Sequence, residues 1–481
     1  MKILEKILIV IVTGAVILFA VYKPPVKEET ETLVDSSEQA TDTNVSEAAS
    51  PDETAEVRET ATVATEAASD VGTSVEDQWH YRGYICDCND VILVFNEGIM
   101  RIIADGCNVS LANVLDSYNS SLSVDRSFEK ELRRANPTAV RSDDGHLIGQ
   151  SVVLTLDSGL HNEIYAYMEA NRIIGSVSVL SGDGAIRALV SYPSYDANAD
   201  FSTLTLEPHA CLNRCVEPAV PGSIFKLLSA VTADHYGIHS YDDPGYLADF
   251  GINNWDCNGA AYAVPVRRSL QSAIRNSSNC WFANVFYSVG ASDVRSTLDR
   301  FFCYSTPLQC DLCTLSNTIK LDSAGDLARA GFGQREGVSP LYMGMVACGT
   351  VTGEVNKPYI GDHMLDTVTW KDLGSLSGKE TISEIPAEYT DELKLGMLDV
   401  TSDLGLGFGE DRLLYTKTGT AESSSNDSDI HYILSVITDE GHSVDNTTAV
   451  VFQYMNSKAA YASGDSQHMQ AILNIVKAHR P

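Results

Sequence analysis

Pro221-Gly222-Ser223-Ile224-Phe225-Lys226-Leu227-Leu228-Ser229-Ala230-Val231-Thr232-Ala233-Asp234 decides how this chain is read. From Ile224 to Tyr236 the stretch is apolar on nearly every side until Asp234, the pattern of a helix buried at the centre of a domain. A serine in the first turn of such a helix sits at the positive end of its macrodipole. A lysine three positions on lies on the same face, one turn above. Lysines are rarely buried unless something requires it, so Ser223 and Lys226 read as a nucleophile and its base. The spacing alone is weak. It recurs at Ser127-Phe128-Glu129-Lys130, in a charged piece with no apolar continuation, and that copy is taken as coincidental.

Two further stretches carry the same kind of chemistry. Arg275-Asn276-Ser277-Ser278-Asn279 precedes the apolar Trp281, Phe282, Val285 and Phe286. Serine and asparagine two apart in a loop can aim a hydroxyl and an amide at one ligand, although Ser277 or Ser278 would serve equally as a helix cap. Lys417-Thr418-Gly419-Thr420 reads as a strand in which the glycine admits a close backbone and the lysine and threonines alternate in facing.

The architecture expected around these stretches is α+β. Gly175 to Ser181 and Ala185 to Ser191, joined by Gly182-Asp183-Gly184, form an antiparallel hairpin. A lone hairpin needs partners, and Leu413 to Lys417, His431 to Thr438 and Thr447 to Tyr454 supply them. An amphipathic helix from Ser466 to His479 follows, with Met469, Leu473 and Val476 on one stripe. One antiparallel sheet flanked by helices results, with a mostly helical insertion between its halves. Tyr84 to Phe95 and Val152 to Leu156 read as further strands, and Ser127 to Arg134 as a charged helical piece.

The 481 residues exceed one ordinary domain, and a net charge of −32 leaves nothing to neutralise a phosphate backbone, so nucleic acid is not an expected partner. Ile7 to Tyr22 carries no charge and as a helix covers about 24 Å, near the thickness of a bilayer core. With Lys2 and Lys6 before the span and acid after it, residues 1–22 are expected to be an uncleaved anchor, the N-terminus cytoplasmic and the rest extracellular. Residues 23–78 hold three basic and fifteen acidic side chains and hardly an aromatic, the composition of a solvated spacer. Residues 79–150 are expected to form a short pedestal module and 151–481 the main domain. The cysteines number eleven, at irregular spacings. They leave open buried thiols with an occasional bridge, or a zinc site drawn from Cys211, Cys215, Cys303, Cys310 and Cys313.

Order then adds what each motif lacks alone. Ser-x-x-Lys, Ser-x-Asn and Lys-Thr-Gly in succession are the signature of penicillin-binding proteins and serine β-lactamases. The chain resembles a class B penicillin-binding protein, a monofunctional peptidoglycan transpeptidase, from Arg82 to its C-terminus. Arg82-Gly83-Tyr84-Ile85 with Asp87-Cys88-Asn89-Asp90 is similar to the family's R-G-x-I-x-D-R-N-G, and Val153-Leu154-Thr155-Leu156-Asp157-Ser158 to its V-x-L-T-I-D-S. Ser191-Tyr192-Pro193-Ser194-Tyr195-Asp196 matches S-x-P-S-Y-D, and Gly331-Phe332-Gly333-Gln334 with Ser339-Pro340-Leu341 matches G-x-G-Q and T-P-L. Cys88 and Asp90 depart from the family's arginine and glycine, and the pedestal is short. No glycosyltransferase domain precedes it in the sequence, which points to the monofunctional class.

The resemblance implies acyl transfer from a D-alanyl-D-alanine stem peptide, with β-lactams as inhibitors and a membrane glycosyltransferase as partner. It implies Ser223 as nucleophile, Lys226 as its base and Ser277 as the proton donor to the leaving amine. Asn279 would hold the substrate's amide, and Lys417 would supply positive potential. Thr418 or Thr420 would meet the carboxylate beside Gly419, and the backbone N–H groups of Ser223 and Thr420 would form the oxyanion site. No metal or organic cofactor is called for. A neutral Lys226 would cost roughly 4–5 kcal/mol, which burial and the like charge of Lys417 would supply. The rivals are a membrane-anchored serine β-lactamase or D,D-carboxypeptidase, and a non-catalytic β-lactam sensor or division-complex module.

Overall fold

In the computed structural model of the chain, residues 8–12, 15–19, 81–116, 123–200, 206–254, 266–421, 428–457 and 465–480 are described. The acidic spacer expected over 23–78 lies outside them. So does much of the expected anchor. Within that anchor Leu8–Val12 and Ala15–Phe19 pair as an antiparallel hairpin, Leu8 opposite Phe19 and Val12 opposite Ala15, where a helix was expected. Six of these ten residues are β-branched, which favours strand over helix wherever no bilayer demands that each backbone group be satisfied within a helix. No helix among the described residues is long and apolar enough to cross a membrane.

The described residues from Tyr81 onward belong to one compact unit. Its centre is a five-stranded antiparallel sheet of β1 (Gly175–Ser181), β2 (Ile186–Tyr192), β3 (Leu413–Ala421), β4 (Ser428–Thr438) and β5 (Thr448–Ser457), in the order β3-β4-β5-β1-β2. The expected strands are all present, and the two chain segments join where β5 pairs with β1, Val450 opposite Val179. Alternation along β5 divides the core. Val450 and Phe452 face α1 (Ser158–Ala170) and the C-terminal helix Asp465–Ala478, whereas Ala449 and Val451 join the larger cluster that contains the helix Pro340–Thr352. The result is a layer of helices on each face of the sheet, as the sequence pattern implied.

A second, six-stranded sheet forms at the other end. Ile85–Cys86, Ile92–Glu97 and Met100–Ile103 come from the expected pedestal, and Ser151–Leu154 follows it in sequence. The remaining strands, Gly361–Leu365 and Asp372–Ser375, arrive from the far side of the insertion. The pedestal sheet is therefore completed by the main domain, with Ile85 running parallel to Val152 and Met364 opposite it. In place of the helical piece expected over Ser127 to Arg134 there are two single-turn helices, Val124–Ser127 and Glu129–Leu132. The ten described cysteines are free thiols, and among the described residues no group of three or more His, Cys, Asp or Glu side chains could hold a metal ion.

Candidate active site

Gly222–Phe225 forms a 3-10 turn that runs into α2 (Lys226–His235), every residue of which from Lys226 to Asp234 is buried. Ser223 stands half-exposed in that turn, while Lys226 is fully buried one turn behind it. Two glycines permit this turn. Gly222 has φ +55°, and a Cβ there would lie 2.4 Å from the Thr420 carbonyl oxygen. Gly333, at φ +84°, would place a Cβ 1.9 Å from the Gly222 carbonyl oxygen, whose amide donates to Gly333 O at 3.0 Å. The Gly331-Phe332-Gly333-Gln334 element is thus the floor on which the serine turn rests.

The Ser277 loop links α3 (Leu270–Arg275) to α4 (Asn279–Val289). The cap reading of its serines falls to Ser278. Ser278 caps α4 by accepting from Trp281 N, and Ser277 points elsewhere, with a φ of +50° that few residues other than glycine adopt. β3 is an edge strand of the central sheet, and Lys417 on it is fully buried. Thr418 is half-buried and Thr420 exposed.

These three segments, more than fifty and then nearly one hundred and forty residues apart in sequence, meet at two lysine side-chain nitrogens. Lys226 Nζ lies 2.8 Å from Ser223 Oγ, 2.7 Å from the Ser277 carbonyl oxygen, 3.1 Å from Ser277 Oγ and 2.8 Å from Asn279 Oδ1. Lys417 Nζ lies 3.0 Å from the same Ser277 Oγ and 2.8 Å from its neighbour's carbonyl, Thr418 O. Ser277 Oγ therefore bridges the two lysines. The Ser277 carbonyl and Asn279 Oδ1 can only accept, so each takes an N–H from Lys226. The remaining direction at Lys226 faces two hydroxyls, Ser223 Oγ at 2.8 Å and Ser277 Oγ at 3.1 Å, of which Ser223 is the nearer. An ammonium fills it with a third N–H, whereas a neutral amine presents its lone pair there and Ser223 O–H donates to it.

Burial supplies the electrostatics. It lowers the Lys417 ammonium from the usual 10.5 to about 7. The resemblance implies that Lys417 supplies positive potential. In the fold this group stands close to its titration point at neutral pH. The rings of Phe282 and Phe332 lie 5.7 and 6.0 Å from Lys226 Nζ and keep water from that side. Asn279 donates one N–H of its amide to Asn253 O at 3.2 Å, which leaves the second as its capacity toward a substrate.

Every residue expected at the site except Thr420 lies within this lysine-centred cluster, Thr418 through its carbonyl alone, or, as with Gly419, packs against it. A Cβ on Gly419 would lie 3.0 Å from Ile224 N. Thr418 and Thr420 line the strand beside it, and Gln334 Nε2 reaches Thr420 O at 3.5 Å. Sequence reasoning missed the loop at Asp243 to Asn254, which clamps Ser278 and Asn279 from behind. Its only sequence signal is the turn at Asp243-Pro244-Gly245, which announces a bend and not a partner.

A half-buried serine coupled to a buried lysine, with a bridging hydroxyl and a second lysine on an edge strand, is the apparatus of a serine acyltransferase. Residues 175–475 match the family model described as the penicillin binding protein transpeptidase domain, and the chain belongs to that family. Penicillin-binding protein A of Mycobacterium tuberculosis, solved as a penicillin G acyl-enzyme complex, aligns with a TM-score of 0.69 at 18% identity, over 83% of this chain and 100% of that one. The D,D-transpeptidase domain of a peptidoglycan glycosyltransferase from Eggerthella lenta gives 0.66 at 19% identity, covering 82% and 98%. PBP2 of Pseudomonas aeruginosa in complex with WCK 5153 gives 0.64 at 19%, covering 82% and 95%. These likenesses establish a common fold. Comparison with curated proteins gives no match.

Proposed function

We propose that the chain is a class B D,D-transpeptidase that cross-links peptidoglycan stem peptides through an ester on Ser223. The observation that carries this is the 2.8 Å approach of Lys226 Nζ to Ser223 Oγ, with Ser277 Oγ 3.1 Å from the same nitrogen. Neutral Lys226 takes the Ser223 proton as Oγ attacks the carbonyl of the penultimate D-alanine. The oxyanion that forms meets the N–H groups of Ser223 and Thr420, which the close contact of Gly222 with Thr420 supports. As the tetrahedral adduct collapses, the C–N bond breaks and D-alanine leaves with a proton handed on through Ser277. An amine of a second stem peptide then attacks the ester, forms the cross-link and returns the proton to Ser223. Lys417, when charged, attracts the terminal carboxylate, whose oxygens accept from the Thr418 and Thr420 hydroxyls. The free N–H of Asn279 holds the donor's amide.

A β-lactam closes the same cycle half-way, because its amine cannot diffuse off. Incubation of the full chain with fluorescent penicillin is expected to give a long-lived ester. Turnover within seconds would instead identify a hydrolase, and absence of any adduct a non-catalytic module.

Residues 1–22 are proposed to anchor the chain with its catalytic domain outside the cell, beside a membrane glycosyltransferase that supplies nascent strands. Sixteen uncharged residues support this. A two-stranded hairpin leaves open edges that hydrocarbon cannot satisfy, so insertion into lipid would require the same residues to be helical. Circular dichroism of a peptide spanning residues 1–24, in buffer and in vesicles, tests it, and an unchanged strand signal in lipid would refute the anchor.

A further inference from the structure

Behind the Ser277 loop lies a buried carboxylate that the reaction does not use. Asp243 ends the strand Ser240–Asp243, is 2% exposed, and gathers four donors. Its Oδ1 accepts from Gly245 N at 2.9 Å and Asn254 Nδ2 at 3.1 Å. Its Oδ2 accepts from Arg268 Nε at 3.0 Å and from the hydroxyl of Ser278. Arg268 is itself buried, so its charge requires this counter-charge.

The Ser278 hydroxyl has one proton. Trp281 N–H takes a lone pair of that oxygen at 3.1 Å, and of the two acceptors left for the proton, Asp243 Oδ2 is charged and the nearer, Asn254 Oδ1 lying 3.2 Å away, so the proton goes to Asp243. Asn254, held by the same carboxylate, accepts from Cys280 N at 2.9 Å, and the carbonyl of its neighbour Asn253 accepts from Asn279 Nδ2 at 3.2 Å. Residues 278, 279 and 280 are thus each tied to one small loop organised by Asp243. Ser277, immediately before them, holds a left-handed backbone conformation that persists only when its surroundings over-determine it.

We propose that Asp243 is a positioning residue for the reaction. Through the Ser278 hydroxyl it fixes the turn that keeps Ser277 Oγ between the two lysines and Asn279 Oδ1 on Lys226. The middle serine of the Ser-Ser-Asn sequence is then a functional link rather than a cap alone. The inference rests on the transpeptidase reading and adds to it a reason why the turn keeps its shape.

The test is the rate of acylation of the full chain by fluorescent penicillin, resolved into pre-covalent affinity and the acylation step. Asp243→Asn keeps the shape but turns an acceptor into a donor facing Asn254 and Ser278. Ser278→Ala removes the hydroxyl, and Ser278→Thr restores it. Displacing a reacting group by about 1 Å costs on the order of 100-fold, so Asp243→Asn and Ser278→Ala should each slow the acylation step by about that factor and leave affinity within about twofold. Ser278→Thr should recover to within about fivefold of wild type, and the double variant should be no slower than the slower single one, because both act on one link. Losses that multiply, or that fall on affinity, overturn the proposal. Should Asp243→Asn not fold, the Ser278 pair decides alone, and an alanine variant as fast as the threonine one overturns it. A wild-type chain that forms no ester refutes the transpeptidase reading, and this inference with it.

Discussion

Lys417 offers a prediction whose size follows directly from its surroundings. Its ammonium is fully buried and burial brings it from 10.5 to about 7, so between those values the unfolded chain binds a proton that the folded chain does not. A depressed folded value makes stability rise with pH across that window, fully present above 10.5 and lost as pH falls through about 7. The shift corresponds to roughly 5 kcal/mol over the whole window and at most about 1.4 kcal/mol per pH unit. Lys417→Met cannot titrate. It also forfeits the bonds to Ser277 Oγ and Thr418 O, but that loss is an offset independent of pH. Above pH 7 the Lys417 side chain is largely uncharged, so replacing it leaves the titration of its neighbours nearly as it was, and the groups common to both proteins cancel in the difference. From pH 7.5 to 9.5 wild type should gain roughly 2.5 kcal/mol on the variant. For a body of about 400 residues, with an unfolding entropy near 0.8 kcal/mol/K, this widens the gap in Tm by about 3 °C. Parallel thermal-unfolding curves for the two proteins across that range would refute the claim that burial holds Lys417 near its titration point.

Other expectations follow from the same contacts. Gly222→Ala would drive a Cβ to within 2.4 Å of Thr420 O at a positive φ, so β3 must move away from Ser223. Acylation by penicillin should fall by about 100-fold or more, against a stability loss of only about 1–2 kcal/mol. Ser277→Ala removes the hydroxyl that bridges both lysines and should slow acylation by about 10²–10⁴-fold with pre-covalent binding retained, read from saturation kinetics. Glu336 is fully buried, its Oε1 has no hydrogen-bond partner, and burial raises its carboxyl well above the usual 4.5. Wild-type stability is therefore eroded as pH rises beyond 4.5, and Glu336→Gln should gain on wild type in denaturant titrations at successively higher pH.

The central sheet and the site were legible in the sequence because both are written in local patterns. Apolar, β-branched runs mark β4 and β5, Gly182-Asp183-Gly184 marks the turn between β1 and β2, and the all-round apolar character of α2 reveals that Lys226 is buried. The pedestal's completion was not legible. Gly361–Leu365 pairs with Ser151–Leu154 across two hundred residues, and nothing local specifies that pairing. Nor was the Asp243 loop, since a carboxylate near a turn reads as solvated until the tertiary fold brings Arg268, Asn254 and Ser278 to it. Ser277 carries no mark of its left-handed conformation, because glycine, the usual sign, is absent there. At Leu8–Val12 and Ala15–Phe19 hydropathy and β-branching point opposite ways, and composition alone does not choose between them.

The chemistry at this site depends on the coupling of Lys226 to Ser223. Mass mapping of the full chain after reaction with penicillin is predicted to find one penicilloyl ester, on the peptide that contains Ser223, and none in Ser223→Ala. An ester on another serine, or undiminished labelling of the alanine variant, would contradict it.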